Sequence, residues 1–224
     1  MNFLTLEQVS EFFADQTVAI VGSAPSVLEN EPGIIDSHDI VVRVNNYKTS
    51  EAAGFRTDVH YSFYGNSIRK PAQDLIDDGV ILCMNKCPND KPIESEWHVT
   101  NNKPFGIDFR YIHANRNKWW FCDTYIPDRA RFLTFFLLMD RRIPTTGFQC
   151  ILEILDTPAK SIYLTGFDFF DSKLHNVNEP WSKGRQDDPI RHDHEAEKKY
   201  IMNLVNSRIK FDSHLNKMKD RFVQ

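Results

Sequence analysis

The run "TVAIVG" at residues 17–22 limits the fold more than any other part of the chain. Its residues are apolar and mostly β-branched, without polar alternation, which is typical of a strand buried on both faces of a parallel sheet. Four later runs also have strand character: "DIVVRVN", "TDVHYSFYG", "GVILCMN" and "SIYLTGFDFF". Together the five runs predict a mostly parallel central sheet.

Helical patterns separate these strands. A capping box at Thr5 and Gln8 opens a short amphipathic helix, and Pro71 marks the start of another. Further helices are predicted within residues 127–142, 145–157, 193–207 and 214–222. Because strands alternate with helices, we expect an α/β fold with helices on both faces of the sheet. The length of 224 residues suits a single domain, 1–224, in which residues 86–120 form an irregular insertion.

Charge and apolar content exclude several classes of protein. The net charge of −4 offers no broad attraction for nucleic acid or for an anionic membrane surface. The first helix contains Glu7 and Glu11 and does not resemble a secretory leader, and no run is apolar and long enough to span a membrane. The cysteines are Cys83, Cys87, Cys122 and Cys150. They lack zinc-site spacing, so we expect free thiols and a cytoplasmic protein.

Polar residues follow the strands at three places, and ligands of open α/β sheets bind at the carboxyl ends of strands. The first place is Gly22 with Ser23, where a tight turn, a hydroxyl and backbone N–H groups could face a phosphate or a ribose. The glycine spacing is not G-x-G-x-x-G, so a dinucleotide fingerprint is not supported. An ordinary strand-to-helix turn explains these two residues as well.

The second place is the end of "DIVVRVN". Arg43 and Asn45 alternate with valines and would share one face of the strand. An asparagine can donate and accept hydrogen bonds, which suits a base or a sugar hydroxyl. An edge strand with a solvated face explains the pattern about equally well.

The third place is the start of the helix in "RIPTTGFQCILEILDT". Either Thr145 or Thr146 can cap this helix, and Gly147 would let a ligand approach the backbone closely. The free N–H groups and the helix dipole favour a phosphate there. Capping alone explains one threonine and leaves the rest of the Thr-Thr-Gly sequence without a reason.

Three histidines are candidates for chemistry. His192 stands directly before Asp193, the expected cap of a helix, and could point into a crevice as a general base. We interpret His194 as a solvated surface residue. His175 lies in a polar loop, where it could meet a phosphate or be merely exposed. The i, i+4 histidine spacing of a zinc site is absent.

These segments, taken together, resemble the sialyltransferase family of the eukaryotic type and its bacterial relatives. The family's long motif resembles "VAIVGSAPS" followed by "IIDSHDIVVRVNN", and its short motif resembles "PTTGFQCILEILDTPAKSIYLTGFDFF". Its last motif, a histidine and a glutamate separated by four residues, is matched by His192 and Glu197. The three motifs occur in the family's order and cover roughly residues 17–208.

The resemblance implies a modified Rossmann-like fold and an inverting glycosyltransferase of bacterial or viral origin. Such an enzyme moves a sialic acid or a Kdo-like keto sugar from a CMP-activated donor, without a metal or other cofactor, to a glycan or lipid-linked oligosaccharide. His192 would be the base. Donor-binding residues would be Gly22, Ser23, Asn45, Thr145, Thr146, Gly147 and His175, supported by Arg43 and Glu197.

The resemblance leaves some questions open. The insertion at residues 86–120 would lie on the acceptor side. Peripheral association with a membrane is compatible with the sequence, but nothing indicates it. A nucleotide-dependent pyrophosphokinase or hydrolase on a similar sheet is one alternative function. The other is a nucleotide-binding module that has no transfer activity.

Overall fold

The computed structural model describes residues 2–63, 70–88, 98–99, 103–104, 121–172, 174–175, 179–180, 192–204 and 206–222. The helices are α1 (Leu6–Phe13), α2 (Ala72–Asp77), α3 (Arg129–Leu138), α4 (Thr146–Leu155), α5 (His194–Met202) and α6 (Ser213–Phe222), with a 3₁₀ helix at Pro25–Glu29. None of the helices in these ranges is both long and apolar enough to span a lipid bilayer.

One sheet organises the described chain. Its strands, in chain order, are β1 (Phe3–Leu4), β2 (Thr17–Val21), β3 (Ile40–Val44), β4 (Val59–Ser62), β5 (Leu82–Asn85), β8 (Asp123–Tyr125), β9 (Ser161–Thr165) and β12 (Ile209–Phe211). Their order across the sheet is β1-β8-β5-β4-β3-β2-β9-β12, and every neighbouring pair is parallel. Two short antiparallel ribbons join β6 (His98–Val99) to β7 (Lys103–Pro104) and β10 (Leu174–His175) to β11 (Glu179–Pro180).

Helices cover both faces of this sheet. On one face, Phe13 of α1 and Ile151 of α4 are buried with Val18 and Val42 of the central strands. On the other face, the 3₁₀ helix contributes Val27 to a separate apolar cluster. Helix α2 packs on that second face too, where its Leu75 joins Cys83 of β5. The predicted α/β fold with a mostly parallel sheet and helices on both faces is therefore confirmed.

The predicted strands and the predicted capping box of the first helix are confirmed. The five predicted strands are β2, β3, β4, β5 and β9, and the capping box at Thr5 is present. Strand β3 lies between β2 and β4 with all five residues buried, so it is not the solvated edge strand considered above. All four cysteines lie in the described ranges and are in the thiol form, as expected. Most of the predicted insertion at 86–120 lies outside the described residues.

The strand order reverses at β2. The chain adds β3, β4 and β5 on one side of β2 and later adds β9 and β12 on its other side. The carboxyl ends of β2 and β9 therefore mark the topological switch point of the sheet, and open α/β sheets bind their ligands at such points.

Two glycines let the backbone segments after β2 and β9 approach closely at this switch point. The Gly22 N–H donates to the Thr165 carbonyl oxygen at 2.8 Å, and the Ala24 N–H donates to the Gly166 carbonyl oxygen at 2.9 Å. A Cβ atom on Gly22 would lie only 2.2 Å from the Gly166 carbonyl oxygen. Gly166 itself has a φ of +71°, in the left-handed region that favours glycine. Gly22 is thus required by backbone packing.

We expect Gly22→Ala to lower the free energy of unfolding by at least about 2 kcal/mol, because its methyl group meets a backbone atom that cannot move aside. Gly33→Ala is the control, since Gly33 has a φ of +81° and open space around it. That variant should cost only about 1 kcal/mol, from its backbone conformation alone. Urea denaturation measures both. Equal losses would contradict the close approach at Gly22.

Candidate active site

The ring of Phe167 connects two of the predicted site segments. A Cβ atom on Gly22 would lie 3.1 Å from Cδ1 of this ring, and one on Gly147 would lie 2.8 Å from its Cε1. The turn after β2 and the first turn of α4 therefore lie on the same aromatic ring. The space at the Cβ position of Gly147 is needed by Phe167, which is a packing reason for this glycine, and its predicted role in letting a ligand approach stays a prediction.

Thr145 is the residue that caps helix α4. Its backbone is extended, with φ −63° and ψ 159°, and its hydroxyl accepts a hydrogen bond from the Phe148 N–H at 3.2 Å. The sequence left open which threonine was the cap, and the structure assigns Thr145. Thr146 is the first residue of the helix and is partly exposed. Its hydroxyl is not needed for the cap.

Glu197 of α5 reaches the same cap. One carboxylate oxygen accepts from the Thr145 N–H and the other accepts from the Thr145 hydroxyl, both at 2.6 Å. The glutamate is 1% exposed. Burial raises the pKa of Glu197 to about 7, although both hydrogen bonds from Thr145 and the charge of Lys86 act in the opposite direction. A buried carboxylate thus anchors the start of α4.

Lys86, just after β5, is a site residue that the sequence interpretation missed. It is 5% exposed, and its ammonium group donates to the carbonyl oxygen of Pro144. Its own carbonyl oxygen accepts from the Gln149 side chain at 2.8 Å. Burial lowers the pKa of Lys86. A lysine directly after the "GVILCMN" strand was visible in the sequence, but nothing there indicated its partners.

His192 lies directly before α5, whose cap is Asp193 as predicted; the Asp193 carboxylate accepts from the Ala196 N–H at 3.0 Å. Nδ1 of His192 lies 2.6 Å from the carbonyl oxygen of Ile143. A carbonyl can only accept, so Nδ1 carries the proton in this contact. In the neutral ring, Nε2 is then the unprotonated nitrogen, which is the one that can act as a base.

His194 is not the solvated residue that we expected. Its ring centroid lies 4.0 Å from that of Phe170, and its Nδ1 is buried without a hydrogen-bond partner among the residues that the structure describes. Burial lowers the pKa of His194 below the ordinary value. Phe170 takes a φ of +69°, in a turn where Asp168 accepts from the Phe170 N–H at 3.0 Å. A tight turn after β9 therefore brings Phe170 against the first turn of α5.

Asn45 lies just beyond β3 at the same edge of the sheet. It takes a φ of +54°, and its side-chain oxygen accepts from the Ser62 hydroxyl at 3.1 Å. Its carbonyl oxygen lies 2.8 Å from Nε2 of the buried His60. Ser23 follows Gly22 at the end of β2 and is partly exposed. Both residues thus stand at the ends of neighbouring central strands.

Two other predicted site residues, Arg43 and His175, differ in position from Ser23 and Asn45. Arg43 is fully buried, and its guanidinium donates to the carbonyl oxygens of Arg56 at 2.9 Å and Ala53 at 2.8 Å. Its contacts therefore hold the loop before β4. The backbone of His175 pairs with Glu179 in a short ribbon, and its side chain lies outside the described part of the structure.

The arrangement can stabilise negative charge and accept a proton. The first N–H groups of a helix have no partner within it, and those of Thr146 and Gly147 are not used by the cap or by Glu197. These N–H groups and the helix dipole favour an anion. Within the described ranges, no group of three or more His, Cys, Asp or Glu side chains is placed to hold a metal ion.

No family model and no curated protein matches the chain by sequence. Among solved structures, the sialyltransferase CstII from Campylobacter jejuni in complex with cytidine-5'-monophosphate matches with a TM-score of 0.58 at 15% identity, covering 88% of this chain and 80% of that one. A mammalian sialyltransferase in complex with Gal-beta-1-3GalNAc-ortho-nitrophenol has a TM-score of 0.57 at 20% identity, with coverages of 94% and 74%.

A third similar structure is the monofunctional alpha-2,3-sialyltransferase Cst-I from Campylobacter jejuni. It has a TM-score of 0.56 at 17% identity, covering 88% of this chain and 75% of that one. The chain therefore has the fold of the sialyltransferases, and the Rossmann-like architecture implied by the resemblance is confirmed. At these identities the comparison establishes the fold, and the chemistry must be argued from the site.

The two adjacent threonines should differ in their contribution to stability. Thr145→Val removes the helix cap and one hydrogen bond to a buried carboxylate, so we expect a loss of about 2–3 kcal/mol in the free energy of unfolding. Thr146→Val changes a partly exposed hydroxyl and should cost under about 0.5 kcal/mol. Urea denaturation of both variants checks this. Equal stabilities would exclude the cap at Thr145.

Proposed function

We propose that the protein is an inverting glycosyltransferase that uses a CMP-activated donor. It moves a sialic acid, or a related Kdo-like keto sugar, to a hydroxyl of a glycan or lipid-linked oligosaccharide. His192 is the general base, and the chain itself supplies the stabilising groups without a metal ion. The sialyltransferase fold supports this proposal, as does the position of the site at the switch point of the sheet.

The observation that carries the proposal is the convergence of two functions on one short segment. His192 is bonded to Ile143, and two residues later Thr145 caps helix α4, whose N–H groups at Thr146 and Gly147 are used neither by that cap nor by Glu197. A base and an anion-binding helix end are thereby held side by side. Transfer from a CMP-sugar needs both, one for the acceptor proton and one for the departing phosphate.

The departing group is stabilised by the helix end. When the bond between the anomeric carbon and the phosphate oxygen breaks, its electron pair leaves with CMP and adds negative charge to the phosphate. The N–H groups of Thr146 and Gly147 are fixed by the helix backbone before the reaction, so they stabilise this charge without reorganising, and the hydroxyl of Thr146 is a further donor. Ser23 and Asn45, at the ends of β2 and β3, contact the nucleotide or the donor sugar.

The acceptor is activated on the opposite side of the anomeric carbon. Nε2 of His192 takes the proton from the acceptor hydroxyl while the acceptor oxygen forms its bond to the anomeric carbon. The contact from Nδ1 to Ile143 keeps the ring in the tautomer that leaves Nε2 unprotonated. Attack opposite the departing phosphate inverts the configuration, and holding both reactants in line is chiefly a matter of positioning.

Replacing His192 tests the base. We expect His192→Gln to lower the rate of CMP release in the presence of acceptor by on the order of 10²–10⁴-fold, with CMP affinity unchanged, because the base acts only in the transfer step. CMP-Neu5Ac and CMP-Kdo serve as donors. The acceptor probe is Gal-beta-1-3GalNAc-ortho-nitrophenol, which the mammalian sialyltransferase binds.

His38→Gln is the matched control, because His38 precedes β3 at the opposite, amino end of the strands. It should transfer like the wild type. Wild-type transfer by His192→Gln would exclude the base. CMP binding without turnover of either donor would favour a binding module, and loss of activity with a chelator would favour a metal-dependent hydrolase or pyrophosphokinase.

Thr146 should contribute to the affinity for CMP itself. We expect Thr146→Val to raise the dissociation constant of CMP about 10-fold or more, because a hydrogen bond to a charged phosphate is worth about 1.5–3 kcal/mol. Isothermal titration calorimetry with CMP gives this constant. Thr134→Val, in α3, is the control, since its hydroxyl bonds the Ala130 carbonyl oxygen within that helix. Equal CMP affinity in all three proteins would place the phosphate elsewhere.

A further inference from the structure

Segment 143–145 is defined as Ile143, Pro144 and Thr145. Each of its residues is hydrogen-bonded to a different side chain. Its first carbonyl is bonded by His192, its second carbonyl by Lys86, and its third residue by both oxygens of Glu197. These three side chains come from the end of β5 and from the start of α5. The segment therefore has little freedom to shift relative to either element.

We propose that Lys86 is a positioning residue for the transfer reaction, which holds segment 143–145 so that His192 and the start of α4 keep a fixed separation. This inference rests on the proposed function, because it assigns a task to Lys86 within that same site. It is not implied by the sequence motifs, none of which includes Lys86.

The burial of Lys86 supports a specific task. A lysine is seldom fully buried, since removing its charge from water is costly, and a methionine of similar length would fill the same space without this cost. The ammonium group nevertheless points inward to the Pro144 carbonyl. Its backbone carbonyl is held in turn by Gln149 of α4. Lys86 is thus attached to Pro144, which directly precedes the cap of α4, and to Gln149, the fourth residue of α4.

Lys86 also acts on the third contact of the segment. Its charge lowers the pKa of Glu197, against the burial that raises it, and so favours the ionised carboxylate that accepts both bonds from Thr145. Loss of the ammonium group would leave the Pro144 carbonyl without this donor and Glu197 without this cation. Both changes release segment 143–145, on which His192 depends for its orientation.

The variant Lys86→Met tests this role in the full chain. We expect kcat to fall on the order of 10²-fold while the KM for the CMP-sugar donor changes less than about 3-fold, because a small misplacement of the base slows the transfer step. We also expect the ¹⁵N signals of the His192 ring to move, showing a weakened bond from Nδ1. Those signals are assigned by their loss in His192→Gln.

Two further variants make the test specific. Lys70→Met is the matched control: Lys70 is also largely buried, but it pairs with Asp78 at 2.8 Å. The double variant Lys86→Met/Glu197→Gln removes both buried charges, which protects the fold, and its glutamine can still bond Thr145. It lacks the donor to Pro144, so its kcat and its His192 signals should remain altered.

Wild-type His192 signals in folded Lys86→Met would overturn the inference, as would recovery of wild-type kcat in the double variant. Equal effects of Lys70→Met would do the same, because they would indicate a general response to losing a buried lysine. If neither CMP-sugar is turned over by the wild type, the proposed function fails, and the His192 ring signals still decide whether Lys86 positions the segment.

Discussion

The two hydrogen bonds from Thr145 to the buried carboxylate of Glu197 are the interaction on which the site depends. A buried carboxylate needs donors, and here both donors come from one residue at a helix start. The contact joins α4 to α5, although 52 residues separate the two partners in the chain. Because His192 immediately precedes α5, the same contact also determines where the candidate base lies relative to the helix end.

Much of the fold could be predicted from the sequence, and the exceptions have a physical explanation. Central strands such as β2 and β9 have five residues each, long enough to be recognised. The strands β1, β8 and β12 have only two or three residues, too few to show a periodicity. Their pairing depends on the sheet already present, so no local pattern indicates them. Helix α5 ends at Met202, several residues before its predicted limit at residue 207, and no local pattern indicated this end either.

The sequence indicated several residues of the candidate site but not the contacts between them. The motifs brought out Thr145, His192 and Glu197, and the structure joins them through one short segment. Lys86 and Phe167 were missed, because their roles arise from residues that are distant in sequence. The resemblance to sialyltransferases agrees with the observed fold, while the assignments of substrate and base remain proposals.

The Phe167 ring packs against both Gly22 and Gly147, so the side-chain sizes at positions 22, 147 and 167 depend on one another. A side chain larger than hydrogen at either glycine would compete with the ring for the same volume. In an evolving lineage positions 147 and 167 should consequently change together, with a smaller residue at 167 accompanying any enlargement at 147, while the Gly166 carbonyl oxygen keeps position 22 a glycine. Co-variation of this kind would separate chains that keep this architecture from those that merely retain a glycine in a similar sequence.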